Sequence, residues 1–246
     1  MIAMRLTERR ILIPGGGSGI GLALARALAP ENRVVIAGRD QARLDRARED
    51  VPRLETAELD VTSEESAARA IHDVEERLGG LDVLVNSAGV MRSGPVDDPG
   101  AERAAVEDVE INLLGTIRMT MLALPMLRAS DDGAVVMMSS ALALVSSPRM
   151  AVYAATKAAV HSLARSLRAE LADEVKVFDV LPPWVDSDLA RDVRGPKISP
   201  EAVAGDIVEG MRTDRFEIRV GRIRALSLIA RISPRLADSI AARANG

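Results

Sequence analysis

Arg10-Ile11-Leu12-Ile13-Pro14-Gly15-Gly16-Gly17-Ser18-Gly19-Ile20-Gly21 is a short aliphatic run that ends in clustered glycines and passes at once into a helical pattern. The aliphatic part, Arg10-Pro14, reads as a strand buried on both faces, because it is short, branched and bounded by turn formers. Glycines at such a strand-to-helix turn remove the Cβ atoms that would keep the backbone away from a phosphate. The new helix supplies free N–H groups and the positive end of its dipole. Gly15, Gly17, Ser18, Gly19, Ile20 and Gly21 are therefore candidate binding residues, Ser18 as a hydroxyl donor or helix cap. The plainer alternative is a tight turn that only packs strand against helix. The spacing Gly-x-x-x-Gly-x-Gly, from Gly15 through Gly19 to Gly21, differs from the Gly-x-Gly-x-x-Gly of long-chain dinucleotide folds.

Working outward, further aliphatic runs recur at Arg33-Ala37, Leu54-Glu58, Leu81-Asn86, Gly133-Ser139, Val175-Leu181 and Phe216-Val220. Helical periods lie between them at Gly19-Ala29, Asp40-Asp50, Ser63-Leu78, Ala101-Arg128, Ala151-Ala172 and Pro200-Arg212. The alternation predicts an α/β fold, a doubly wound parallel sheet of about seven strands with helices on both faces. Ser63, after Asp60-Val61-Thr62 and before Ser66, reads as a helix entry. The loops 91–100 and 182–199 are the least regular stretches, and loops leaving strand C-termini build the ligand site of an open α/β sheet.

With 246 residues, 48% apolar and 28% charged, the chain is expected to form one globular domain. A net charge of -4 without a long Lys/Arg run argues against a nucleic-acid partner and favours a small molecule. The absence of cysteine excludes disulfides and thiolate chemistry, and His72 and His161 alone are too few imidazoles to favour a metal centre. No apolar run approaches the ~18 residues of a membrane span, so a cytoplasmic protein is expected.

An acidic residue after the second strand would bind the adenosine ribose hydroxyls of NAD. This chain has Ala37-Gly38-Arg39 there. Gly38 removes repulsion of a 2′-phosphate and Arg39 can pair with one, which favours NADP over NAD; Arg39 is otherwise a solvated residue at a helix start. Tyr153-Ala154-Ala155-Thr156-Lys157 places a phenol and an ammonium on one helix face. The ammonium is expected to draw the phenol's titration down from ~10, making Tyr153 an acid/base for a carbonyl or alcohol oxygen. Ser140, at the end of the fifth strand, can hydrogen-bond the same oxygen, while Ser139 points to the opposite side. Tyr153 is the one tyrosine of the chain, so a role as simple core packing is the weaker alternative.

Together these residues resemble the short-chain dehydrogenase/reductase family, in its branch of about 250 residues. The likeness includes Gly15-Gly21, Asp60-Val61, Asn86-Ser87-Ala88-Gly89, Asn112, Ser140, and Tyr153 with Lys157, in family order. It implies a Rossmann-like fold and hydride transfer between NAD(P)(H) and a carbonyl/alcohol pair. Asp60 and Val61 would contact adenine; Asn86, Ala88 and Gly89 would shape the turn beside the cofactor. Asn112 would kink its helix and hold a water of a proton relay. Lys157 would also bond the nicotinamide ribose, and Val185 and Ser187 would touch the carboxamide and phosphate. The family implies a homodimer or homotetramer through 101–128 and 151–172. Pro14 replaces a threonine and Pro183 a glycine of the family pattern. These departures motivate a rival reading as a cofactor-binding sensor or scaffold with reduced catalysis. A looser likeness, to cytoplasmic reductases found beside teichoic-acid D-alanylation genes, rests on Arg33-Arg39 and Glu217-Gly221 and implies no substrate.

Met91 and Arg92 are expected beside the substrate, and Trp184 either anchors a lid or packs its loop. His72 and His161 are expected at surface or boundary positions, and Met119, Met121, Met126, Met137 and Met138 in the core. The basic amphipathic stretch Arg222-Arg243, within an extension at about 222–246, is expected to pack on its own or a partner subunit; peripheral membrane contact is the alternative.

Overall fold

The computed structural model describes residues 4–221 together with 223, 229, 232, 233, 235 and 237. Seven parallel strands form one sheet: β1 (Arg10–Pro14), β2 (Arg33–Gly38), β3 (Glu55–Glu58), β4 (Val83–Asn86), β5 (Ala134–Met138), β6 (Lys176–Leu181) and β7 (Glu217–Arg219). Their order is β3-β2-β1-β4-β5-β6-β7. Ile11 pairs with Val34 on one side and Val83 on the other. The order reverses between β1 and β4, and this switch point opens a crevice at their C-terminal ends.

The helices are α1 (Gly19–Leu28), α2 (Gln41–Asp50), α3 (Glu64–Leu78), α4 (Ala101–Val109), α5 (Thr116–Arg128), α6 (Ala151–Glu170) and α7 (Pro200–Arg212). Strand side chains alternate between two apolar layers. Ile11, Ile13, Val34, Ile36, Val85 and Val136 pack with α1, α2 and α7. Leu12, Val35, Leu84, Val135 and Val177 face the layer formed with α3, α5 and α6. This double burial explains why the strands read as unbroken aliphatic runs.

Local chemistry fixes the helix starts. Asp40 accepts the Arg43 N–H at 3.1 Å, Ser63 the Ser66 N–H at 3.2 Å, and Ser199 the Ala202 N–H at 3.2 Å. Pro200 at the first position of α7 has no N–H to leave unpaired.

The helical period 101–128 is divided around Asn112, where the family resemblance implies a kink. A π-helical segment, Glu110–Gly115, separates α4 from α5. The widened turn carries Asn112 toward the loop after β4, where Oδ1 accepts the Val90 N–H at 2.8 Å and Nδ2 donates to the Val90 carbonyl at 2.9 Å. Met121 departs from expectation: it is 65% exposed on α5, while Met119 is fully buried.

Among the described residues no helix is long and apolar enough to cross a membrane. Most of the C-terminal stretch lies outside the described residues. Of those described, Ile223 is buried beside Ala141 and Leu181, and Ile229 and Ala237 join an apolar cluster containing Tyr153.

Candidate active site

The crevice begins at the glycine turn. Gly15 has φ 78°, and a Cβ there would lie 2.6 Å from the Ala88 backbone nitrogen. A Cβ on Gly21 would lie 2.5 Å from the Gly15 carbonyl oxygen. The turns after β1 and β4 therefore touch only because Gly15 and Gly21 lack side chains. Ser18 caps α1 without a side-chain hydrogen bond, and the first turn holds no acidic residue. The N–H groups and hydroxyl at this helix start suit an anion. Gly15→Ala is expected to cost about 1–3 kcal/mol through the backbone clash, measurable by urea unfolding, and to weaken dinucleotide binding in a titration.

Two cavities flank this turn. The first, of about 180 Å³, is bounded by Gly15, Ser18, Gly19 and Ile20 on one side and by Ser140, Tyr153 and Lys157 on the other. Ala88, Gly89, Val185 and Ser187 contribute to its walls, as do Met91, Pro183 and Trp184. The second, of about 140 Å³, shares Gly15, Ala88 and Gly89 and extends to Gly38, Arg39 and Val61. Arg39 is exposed and makes no ion pair with a described residue, whereas Arg43 bridges Asp40 and Asp188 at 3.1 and 3.2 Å.

Five predicted residues support the crevice rather than line either cavity. Gly17 packs toward Arg43 and Leu44, and Gly21 lies beneath the turn. The Asp60 carboxylate accepts the Thr62 N–H and hydroxyl at 2.9 and 2.7 Å, and Leu59 and Val61 face the cavity instead. Asn86 donates to Thr120 at 2.9 Å, and Asn112 holds Val90. Leu59, Asp188 and Leu189 also line these cavities but carry no sequence motif, and Met138, expected in the core, closes β5 at the wall of the first cavity.

At the catalytic end, α6 brings Tyr153 and Lys157 against the C-terminal end of β5. Ser140 accepts the Leu142 N–H at 3.1 Å, and its hydroxyl hydrogen-bonds the Tyr153 phenol. Lys157 donates to the Met138 carbonyl at 2.9 Å, and its Nζ lies 5.7 Å from the Tyr153 ring centre. A Cβ on Gly89 would stand 3.1 Å from Asn112 Oδ1 and 3.7 Å from Lys157 Nζ, so a side chain there would press on the Asn112 amide.

Burial reverses the expected effect on the phenol. Desolvation pushes Tyr153 up to about 12 despite the Ser140 hydrogen bond, and pushes Lys157 down to about 8. The ammonium is visible in the sequence, whereas the burial of both groups arises only in the fold. Near neutral pH Tyr153 is thus a protonated phenol able to give a proton, and Lys157 titrates close to that range.

His161 sits at the boundary position expected of it, but with an acidic partner that the sequence did not announce. Its Nδ1 lies 2.5 Å from Oδ2 of the fully buried Asp179, whose Oδ1 receives the Ser139 hydroxyl. His72 stays on the surface, 3.5 Å from Glu76.

The sequence pattern of the short chain dehydrogenase family matches residues 9–197. The chain belongs to the short chain dehydrogenase family. The uncharacterized oxidoreductase DltE of Bacillus subtilis is 34% identical over 91% of this chain and 92% of its own. A short chain dehydrogenase from Burkholderia cenocepacia, solved in complex with NADP, superposes with TM-score 0.86 at 27% identity, covering 97% of this chain and 99% of the other. A gluconate 5-dehydrogenase from the same organism, in complex with NADP and tartrate, gives TM-score 0.79 at 26% identity over 90% and 97%. The short chain dehydrogenase crevice described above fits a nicotinamide dinucleotide, with an anion-receptive helix start between two cavities that share the glycine turn.

Proposed function

We propose that the chain transfers hydride between NADP(H) and a carbonyl/alcohol pair. The observation that carries this reading is the convergence of Ser140, Tyr153 and Lys157 on the cavity whose opposite wall is the glycine turn. The bound nicotinamide supplies or accepts the hydride. Gly15, Ser18, Gly19 and Ile20 hold its pyrophosphate, and Val185 and Ser187 border its nicotinamide end. In reduction, Ser140 polarises the carbonyl, and the Tyr153 phenol gives its proton to the oxygen as negative charge develops there. The Lys157 ammonium stabilises the resulting phenolate, and Asn112 steadies the Val90 turn beside it and serves the proton relay. In alcohol oxidation the proton runs the opposite way.

The preference for NADP rests on Arg39. It stands at the β2 end of the second cavity, where Gly38 presents no carboxylate. Arg39→Ala is expected to weaken NADPH by about tenfold, the loss of one charge-assisted pair, and NADH by much less. Parallel titrations with the two coenzymes check this; equal losses contradict the phosphate role. The proposed assembly is a homo-oligomer through α4–α5 and α6, supported by the exposed Val106, Leu114 and Met121 on that side.

The test of the reaction is carbonyl-dependent NADPH oxidation across a panel of aldehydes and ketones. Binding without turnover of any of them favours the sensor reading.

A further inference from the structure

A carbonyl oxygen bonded to Ser140 and Tyr153 leaves the rest of its molecule against the side chains that surround that pair. Those side chains come from separate loops. Met91 follows β4, Leu142, Leu144 and Met150 lie between β5 and α6, and Trp184 follows β6; all pack in one apolar cluster with Tyr153. Met91 and Trp184 belong at the same time to the wall of the first cavity, as does Pro183. Ile229 and Ala237 of the C-terminal stretch add to the same cluster.

The aromatic residues are few enough for their placement to matter. The chain has one Trp, one Tyr and two Phe. Both Phe flank Arg168, whose guanidinium lies 6.0 Å from the Phe178 ring and 5.9 Å from the Phe216 ring. The Trp and the Tyr instead meet at the crevice. Met91, Leu144 and Trp184 are only partly buried there, so they keep apolar surface at the catalytic end that a bound molecule can cover. The unbranched Met91 side chain can adapt to the outline of that molecule.

Charge is engaged elsewhere. Among the described residues of the first cavity wall, the charged ones are Lys157 and Asp188. Lys157 donates to the Met138 carbonyl, and Asp188 is ion-paired with Arg43 of α2 at 3.2 Å and with Arg191 at 2.5 Å. Arg92, next to Met91 in the chain, is ion-paired with Glu107. A substrate carboxylate laid against Met91 and Trp184 would lose its water and gain no cation from these side chains. Sugar hydroxyls in that place would likewise meet carbon and be left without partners.

We propose that Met91 and Trp184 form the wall that recognises the substrate, and that the substrate class is a neutral ketone or aldehyde carrying hydrocarbon groups rather than a keto acid or a sugar. The proposal rests on the carbonyl-reduction reading above. The carbonyl carbon gains a hydride from NADPH and its oxygen gains the Tyr153 proton, which water replaces; the hydrocarbon group binds and does not react.

Trp184 is the one tryptophan of the chain, so its emission reports occupancy of this wall without turnover. Two ketones of similar shape serve as probes, 4-methylcyclohexanone and 4-oxocyclohexanecarboxylate. With NADP+ bound, so that no reduction takes place, the methyl ketone is expected to alter Trp184 emission at concentrations about tenfold or more below those the carboxylate needs. With NADPH its kcat/KM should be higher by about tenfold or more. Met91→Lys sets a cation in the wall and is expected to move both ratios about tenfold toward the carboxylate. Trp184→Ala should raise KM for the methyl ketone about tenfold and lower kcat much less. Equal or better binding of the carboxylate by the parent overturns the proposal, as do an emission that responds to neither ketone and ratios unmoved by Met91→Lys. Selective binding without reduction sinks the reaction assignment alone and leaves the recognition wall standing. Reduction of both ketones without selectivity sinks the substrate class alone.

Discussion

Tyr153→Phe is expected to lower carbonyl reduction by about 10²- to 10⁴-fold, the range contributed by a positioned acid/base. The phenyl ring fills the same buried space, 6% exposed in the parent, so the fold and the apolar cluster with Met150 and Leu142 survive. Only the hydroxyl is lost, and with it the bond to Ser140 and the proton for the substrate oxygen. NADPH affinity should fall by no more than about tenfold, the worth of one hydrogen bond. The loss therefore belongs in kcat, measured under saturating coenzyme. In the parent, the reductive rate should decline as pH rises through about 8, where the Lys157 ammonium is lost. An undiminished kcat in the variant contradicts the assignment of Tyr153.

The second large effect is on stability. His161→Ala leaves Asp179 buried in β6, between β5 and β7, with only the Ser139 hydroxyl on its carboxylate. Breaking a buried ion pair from one side costs about 3–5 kcal/mol, to be measured by urea unfolding of both proteins across pH. The hydrogen bond from Asp179 raises His161 above its usual value despite partial burial. A raised folded value means that its stabilising contribution is complete below the unfolded value of ~6.5 and is lost as pH rises through the folded one. The stability gap between parent and variant should thus be widest on the acid side of that window and narrow above it. Burial also raises Asp179 above the ordinary carboxylate range, so the gap narrows again where acid protonates the carboxylate. A gap that is small, or that widens with alkalinity, contradicts the pairing.

Much of this architecture is legible along the chain because parallel strands covered on both faces need unbroken aliphatic segments. Ile11-Leu12-Ile13 and Val34-Val35-Ile36 could be placed from that pattern alone. Residues whose role is local were legible as well: Ser63 caps its helix, and Tyr153 and Lys157 share a face by helical spacing. What escaped depends on partners distant in sequence. The family resemblance implies the kink at Asn112, but nothing between residues 101 and 128 announces its partner Val90 across the crevice. His161 finds Asp179 only after β6 docks beside β5. Asp108 looks like one more charge in an acidic stretch, and only folding strips it of solvent. The titration of Tyr153 failed for the same reason: a neighbouring lysine is visible in sequence, whereas the desolvation that outweighs it is not.

Pro14 and Pro183 are compatible with the observed geometry. Pro14 closes β1 in register with Ala37, and its carbonyl accepts the Ser87 N–H at 3.1 Å. Pro183 lies in the wall of the first cavity beside Trp184. The loop beyond them is tied back by Val185 bridging Ile198, with the Ile198 N–H donating to the Trp184 carbonyl at 2.9 Å. Trp184 also packs in the Tyr153 cluster, so the loop is held against the site from both ends.

The most direct test uses NADPH carrying deuterium at the transferable nicotinamide position, offered with the purified protein and a panel of aldehydes and ketones. The account predicts an alcohol product with deuterium on the former carbonyl carbon, formed by the parent and strongly suppressed in Tyr153→Phe. Tight NADPH binding with no deuterated alcohol from any carbonyl compound would contradict it.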